Sequence, residues 1–431
     1  MIDINKIKSA MKSGLGSGIS WNMFSLIFYI LSGLAQYLVI MLLYSAADLG
    51  EFTAAFAYYT AISQISVLGI HFSVLKYTSE YHRDRDARNR ILTTGLLGTL
   101  GVSAAVSIVS FTAVMLLNKA WPSDMLLALL YSIPALVFFS LNKVLLGYIN
   151  GLSRMTAYAV FQSLRCVFMM ASLIVLALMK CPVYMLALSY LISELLLFVI
   201  LAVYLSAKKL ANYRYDRSWL RENMRFGWNI ITGNLVQVLN VRLDVICLRF
   251  FLGGSPLIGY YSFASMAAEG FDQILFVVRR NINPLITQHY TAGDEAAFYR
   301  LYRGVRKYTR IASPPLAALL VGAVAIFFSI VPAFHEYMPA LLPLSVILLS
   351  LCVNSPHVCY QNVLSQTGFP SAEARVNIIV LCANFAGNMM LIPFLGMLGA
   401  SISTAVSYTV MSLMIYLLMK KHTGYRLKFI G

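Results

Sequence analysis

The sequence predicts an all-α polytopic membrane protein of about twelve transmembrane helices, set in two six-helix bundles around a central cavity and related by a pseudo-twofold axis along the membrane normal. Three observations predict it. Of 431 residues, 59% are apolar and 12% charged, with a mean hydropathy of +0.74, whereas soluble domains carry roughly 25% charged residues. Most apolar stretches reach the roughly 20 residues that cross a ~30 Å hydrocarbon core, and the ten-residue alternation of an outer-membrane barrel is absent. The basic residues are also distributed asymmetrically between alternate loops.

Spans are expected near 18–44, 52–75, 92–117, 125–148, 155–179, 184–206, 227–250, 258–278, 311–330, 339–365, 376–392 and 399–418. With the N-terminus inside, Lys119 and Lys180 fall outside, four cations (Lys143, Arg165, Arg242, Arg249) fall within spans, and the rest of the 33 Lys and Arg are cytoplasmic. That is the positive-inside bias. It places both termini in the cytoplasm and explains the net charge of +16 as topology, with no nucleic-acid partner. No A-x-A-like cleavage site follows Lys6, Lys8 and Lys12, so the first span is expected to remain as an anchor. The six cysteines form no CxxC pair and read as small buried apolar residues.

The longest loops are expected at 76–91, 207–226 and 279–310, all cytoplasmic and rich in Arg. The stretch from Arg214 to Arg225, interleaved with Trp219 and Leu220, reads either as a segment lying on anionic headgroups or as a solvated linker. It divides the chain into an N-terminal bundle (1–206), a basic linker (207–226) and a C-terminal bundle (227–431). A weak repeat supports the division: Ser20-Trp21-Asn22 echoes Gly227-Trp228-Asn229, and Leu49-Gly50-Glu51-Phe52 echoes Ile258-Gly259-Tyr260-Tyr261.

A charge at mid-bilayer costs at least about 2.5–3.5 kcal/mol, so each one needs a reason. Eight are expected within spans: Lys143, Arg165, Glu194, Arg242, Asp244, Arg249, Glu269 and Asp272. On the seventh span Asn229, Gly233, Gln237, Asn240 and Asp244 recur every three or four residues, which aligns them on one helical face. Gly18, Asn22, Ser25, Tyr29, Ser32 and Gln36 do the same on the first span. The stripes read as walls of a polar passage, or as interhelical hydrogen-bonding seams. Arg242 and Arg249 share a face that is not Asp244's. Glu269 and Asp272 are three apart and lie side by side. Either they share a proton, the chemistry of an ion-coupled carrier, or they form salt bridges to Arg242 or Arg165.

There is no GxxxxGK[ST] loop, no HExxH and no metal-ligand cluster, so neither a nucleotide nor a metal nor any other cofactor is expected, and no residue reads as catalytic. Transport must draw on an ion gradient, the membrane potential or the substrate gradient.

The chain resembles the polysaccharide flippases that export lipid-linked oligosaccharides, within the superfamily that also holds multidrug and toxin extruders. The resemblance covers nearly the whole length. It is carried by Ala383-Asn384 through Asn388, Pro393, Gly396 and Gly399-Ala400-Ser401 to Thr404, by Arg242-Leu243-Asp244 followed by Gly259-Tyr260-Tyr261, and by Val67-Leu68-Gly69 leading to Lys76–Tyr81. It implies a bacterial cytoplasmic-membrane flippase, not an enzyme, that translocates polyprenyl-pyrophosphate-linked oligosaccharide repeat units (of the O-antigen type) to the outer leaflet by alternating access. Polysaccharide polymerase machinery would act with it. Arg242, Arg165, Lys143 and Arg249 would hold the pyrophosphate. Asn22, Ser25, Gln36, Asn229, Gln237 and Asn240 would line the sugar path, and Glu269, Asp272, Asp244 and Glu194 would serve ion coupling.

Two other readings stand beside it. A multidrug or cation antiporter of the same superfamily would use the four intramembrane acids. A membrane polysaccharide polymerase would need a large loop for its catalytic groups, and none is expected. Lipid II flippases usually carry charges in the first span; here none lies between Lys12 and Asp48.

Overall fold

The computed structural model describes residues 28, 31–210, 212 and 214–425. Among them there is no strand. The helices are α1 (Leu31–Leu43), then α2 (Ala46–Val67), α3 (Ile70–Glu80), α4 (Arg85–Ala120), α5 (Asp124–Ser132), α6 (Ala135–Gly151), α7 (Met155–Leu178) and α8 (Leu188–Ala207). After these come α9 (Arg217–Leu252), α10 (Pro256–Thr291), α11 (Glu295–Ile330), α12 (Leu341–Cys359), α13 (Val363–Gln366), α14 (Pro370–Leu395) and α15 (Met397–Thr423).

The protein is multi-pass. Among the described residues seven helices are long and apolar enough to cross a membrane, or nine when two bent pairs, α2 with α3 and α5 with α6, each count as one span. Helices α9 and α10 match the seventh and eighth expected spans, but charged and amide side chains along them lower their hydropathy. Of the first expected span, 18–44, residues 28 and 31–44 lie within the described residues.

Local signals set the helix ends. Asp84 accepts from Ala87 N at 3.0 Å ahead of α4, and Asp294 accepts from Ala297 N at 2.8 Å ahead of α11. These are N-caps that satisfy an otherwise orphan donor. Ser255 caps α10, with Pro256 at its first turn, where the missing N–H is no loss. Asp216 caps α9 by accepting from the Ser218 hydroxyl at 2.6 Å and the Ser218 N–H at 2.9 Å. Those donors hold the exposed Asp216 carboxyl below its usual range.

The charged stretches expected as loops prove to be mostly helix. Between α10 and α11 only Ala292–Asp294 intervene, so the loop expected at 279–310 is corrected to two helix ends and a tight turn. The physical reason is length: a 36-residue helix such as α9, α10 or α11 is about 54 Å long, well beyond a ~30 Å core, so its polar ends run on into water as helix. Likewise 217–226 form the first turns of α9.

Contacts divide the described chain into two compact units. The first draws on the residues up to Leu43 and on Tyr58–Leu235, the second on Tyr44–Ala57 and the residues from Val236 onward. Helices α2 and α9 therefore each contribute residues to both.

In the first unit, close backbone approach replaces the hydrophobic force that lipid does not supply. A Cβ on Gly147 would meet the His71 carbonyl oxygen at 2.6 Å, and one on Gly227 would meet that of Leu68 at 2.2 Å. The second contact sits at the 46° bend between α2 and α3, where Leu68 and Gly69 take φ of 48° and 68°. Around it pack Ile70, Val74, Ile91, Leu92, Val144, Leu145 and Leu197. Asn223 at the start of α9 is fully buried. It accepts from Ser73 Oγ at 2.7 Å and donates to Ile91 O and Thr94 Oγ1, each at 3.2 Å, tying α3, α4 and α9 together.

In the second unit α14 and α15 form a tight hairpin. Gly396 at the turn has φ 56°, ψ −130°, a region open mainly to glycine. A Cβ on Gly399 would meet Leu391 backbone atoms at 2.5 Å.

Candidate substrate and ion sites

Besides the ion pairs Arg90–Asp216 and Arg214–Asp86 near the ends of α4 and α9, the first unit holds a charged cluster built on α6, α7 and α8. Arg165 Nε on α7 lies 2.5 Å from Glu194 Oε1 on α8. Asn142 Nδ2 on α6 donates to Glu194 Oε2 and to the Glu194 carbonyl, both at 2.8 Å. The Glu194 side chain is 3% exposed and that of Arg165 25%. Glu194 is thus held by a guanidinium and an amide, as a buried carboxylate must be.

Lys143, next to Asn142 on α6, adds a second cation. Its ammonium stands 5.5 Å from the Phe139 ring centroid, and the Arg165 guanidinium stacks on the same ring at 4.8 Å. Phe139 also meets Tyr59 edge-on, and Tyr59 stacks on Tyr190 at 5.2 Å. Lys143 is half-buried, and among the described residues no carboxylate lies within 4 Å of it. Two cations and one acid leave the cluster with a net positive charge inside a membrane helix bundle.

The second unit holds four polar centres. Asp244 on α9 is 5% exposed. It accepts from Tyr261 Oη on α10 at 2.6 Å, Thr404 Oγ1 on α15 at 2.6 Å and Asn388 Nδ2 on α14 at 2.7 Å. Asn388 also donates to Asn384 Oδ1 at 2.6 Å. All of these partners are neutral, so the cluster carries the one negative charge of Asp244 when that group is ionised.

The other three centres are ion pairs. Arg242 Nη1 reaches Glu269 Oε1 at 3.2 Å, with its guanidinium over Phe56 at 5.2 Å. Arg249 Nη2 reaches Glu51 Oε1 at 3.2 Å. Arg279 Nη2 lies 3.9 Å from Asp272 Oδ2, and its Nη1 donates to Val358 O at 3.4 Å and to Gln361 Oε1. Glu269 and Asp272, though neighbours on α10, each face their own guanidinium, which favours the ion-pair alternative over a shared proton. The Glu269 side chain is 37% exposed and that of Arg242 18%.

The structure thus brings Lys143, Arg165 and Glu194 together. It separates Asp244 from Arg242 and Arg249, whose shared face of α9 is not its own, and the two arginines, about two turns apart, take different partners, Glu269 and Glu51. Of the expected sugar-lining residues, Asn229 and Gln237 are exposed. Asn240 donates to Asn377 O at 3.2 Å, and Gln36 on α1 is buried. Asn22 and Ser25 lie outside the described residues.

Sequence reasoning missed several participants. Arg279 was assigned to a loop and is 7% exposed within α10. Glu51, Asn384, Asn388, Tyr261 and Thr404 carried a signal: the two Asn are four apart and share a helical face. The partners they needed are distant in sequence.

A membrane-spanning all-α fold with buried charge clusters in each compact unit is the class defined here. Residues 15–290 match the family described as polysaccharide biosynthesis protein. The chain belongs to that family. It is 24% identical over 420 residues to an uncharacterized membrane protein of Methanocaldococcus jannaschii, covering 91% of this chain and 82% of that protein. It is 26% identical over 278 residues to the probable flippase AglR of Haloferax volcanii, covering 63% of this chain and 56% of that one. The fold is shared with an inward-facing multidrug resistance MATE family transporter of the MOP superfamily (TM-score 0.74, 13% identity, 92% of this chain and 94% of that one). It is shared also with the lipid II flippase MurJ in an inward closed conformation (TM-score 0.72, 13% identity, 93% and 87%).

Proposed function

We propose that this protein is a flippase that carries polyprenyl-pyrophosphate-linked oligosaccharide from the cytoplasmic to the outer leaflet by alternating access, in the cytoplasmic membrane of a bacterium and with both termini on the cytoplasmic side. One observation carries the reading: Lys143, half-buried beside Arg165, has no carboxylate of its own because Glu194 is engaged by Arg165 and Asn142. An uncompensated cation in a membrane helix is costly and is retained where an anion visits it. A guanidinium and an ammonium side by side suit a pyrophosphate, the first giving paired hydrogen bonds and the second a compact charge. Family membership and the flippase relative support the same substrate class.

In this mechanism the anion enters at Lys143 and the exposed edge of Arg165, with Phe139 fixing both cations from below. Arg242 and Arg249 are further anion contacts, each partly neutralised by an acid. Amides and hydroxyls, Asn229 and Gln237 among them, bind sugar hydroxyls. Asp244 is the coupling group: its buried carboxylate, held by the Tyr261 and Thr404 hydroxyls and the Asn388 amide, has no cationic partner within 4 Å among the described residues, so a proton or a monovalent cation would neutralise it. Glu269, Asp272 and Glu194 are secondary coupling candidates. A polysaccharide polymerase is the expected consumer of the product.

The test is mass spectrometry of polyprenyl-linked sugars in cells lacking the gene, with sidedness probed by an impermeant reagent. Complete repeat units trapped on the cytoplasmic face are expected. Unchanged intermediates together with new drug sensitivity would overturn the proposal in favour of a cation-coupled antiporter. The isolated Asp244 carboxylate is the observation that favours that second reading.

A further inference from the structure

A cavity of about 490 Å³ opens between α10 and α11, wholly within the second unit, and neither Asp272 nor Arg279 lines it. Its α11 wall is a stripe from Arg300 to Leu316, about 24 Å along the axis. Its floor is apolar: Phe271 and Leu275 are buried there, and the hydroxyls of Thr309 and Ser313 are engaged with Val305 O and Ser355 Oγ. No acidic side chain lines it.

The two ends differ. At one end is Arg300, exposed at the start of α11, with no carboxylate within 4 Å among the described residues. Arg303 and Lys307 continue an exposed basic stripe from it at helical spacing. Away from Arg300 the rim is apolar and exposed, with Ile274 at 49% and Leu316 at 40%. Between them Tyr308 is 71% exposed. A Cβ on Gly304 would meet nothing within 4 Å, so the wall is notched there.

We propose that this groove is a binding site for an anionic membrane phospholipid, with an acyl chain along α11 and the headgroup phosphate on Arg300. Charge selects this occupant. Basic pockets between membrane helices take anionic headgroups, and the apolar floor beside Phe271 and Leu275 takes a chain. The lipid is a resident of the fold and stands independently of the flippase reading.

The test is native mass spectrometry of the full-length protein in detergent, with palmitoyl-oleoyl phosphatidylglycerol or phosphatidylcholine added at equal concentration. The wild type is expected to retain one phosphatidylglycerol about fivefold over phosphatidylcholine, the effect of one interfacial cation. Arg300→Gln should bring that ratio near one. Gly304→Leu, which fills the notch without a clash, should lower retention of both lipids. Equal phosphatidylglycerol retention by wild type and both variants would overturn the site. Polyprenyl phosphate displacing phosphatidylglycerol from the wild type but not from Gly304→Leu would overturn the assignment of its occupant.

Discussion

Arg165 Nε and Glu194 Oε1 sit 2.5 Å apart on adjacent helices, and the neighbouring Lys143 has no carboxylate within 4 Å among the described residues. On the proposed mechanism the pair is structural and the lysine meets the ligand. The two roles are separable by mutation.

Lys143→Ala is expected to abolish export of lipid-linked oligosaccharide while the protein remains at wild-type level in the membrane. Lys143→Arg should retain part of the activity, because charge is kept while shape changes. Export at the wild-type rate by Lys143→Ala would remove this residue from the mechanism.

Arg165→Ala should behave differently. It strands a buried carboxylate, and breaking such a pair typically costs about 3–5 kcal/mol. Detergent-solubilised Arg165→Ala is expected to melt well below wild type, whereas Arg165→Met with Glu194→Leu should recover most of the stability and none of the transport. Equal melting temperatures for wild type and Arg165→Ala would show that the pair is not structural.

Asp244→Asn preserves shape and loses the charge. Vesicle transport by this variant is expected to lose its dependence on an imposed sodium or proton gradient. Should the dependence persist there and vanish in Glu269→Gln/Asp272→Asn, coupling would belong to α10 instead.

Gly227→Ala tests the packing. Its Cβ would lie 2.2 Å from the Leu68 carbonyl oxygen, which backbone on both sides prevents from relaxing cheaply. A destabilisation of about 1–3 kcal/mol follows, as for other overpacked sites. Gly233→Ala on the same helix, with nothing within 4 Å, is the control and should be neutral.

Much of this was legible from residues alone because membranes impose one-dimensional rules. Span length, apolar content and the side on which Lys and Arg fall depend on local sequence and on bilayer thickness. The separate faces of Arg242 and Asp244 followed from a period of 3.6 residues, and the structure gives them separate partners, Glu269 for Arg242 and Tyr261, Asn388 and Thr404 for Asp244. Helix ends were less legible. Charges at 279–310 read as a loop, yet nothing in Arg, Lys or Glu opposes helix outside the hydrocarbon.

What sequence by itself determined is the class of molecule: an all-α chain that crosses a membrane repeatedly and keeps ionisable groups within it. Only tertiary structure decided which charges meet. Arg279 with Asp272 is a neighbour pair on one helix, but Glu51 with Arg249 and Asp244 with Asn388 join positions far apart in the chain. Helical periodicity fixes the direction of each side chain from its own axis. Which helix stands in that direction is set by packing, through glycine contacts such as that of Gly227 with Leu68, and packing has no local signature.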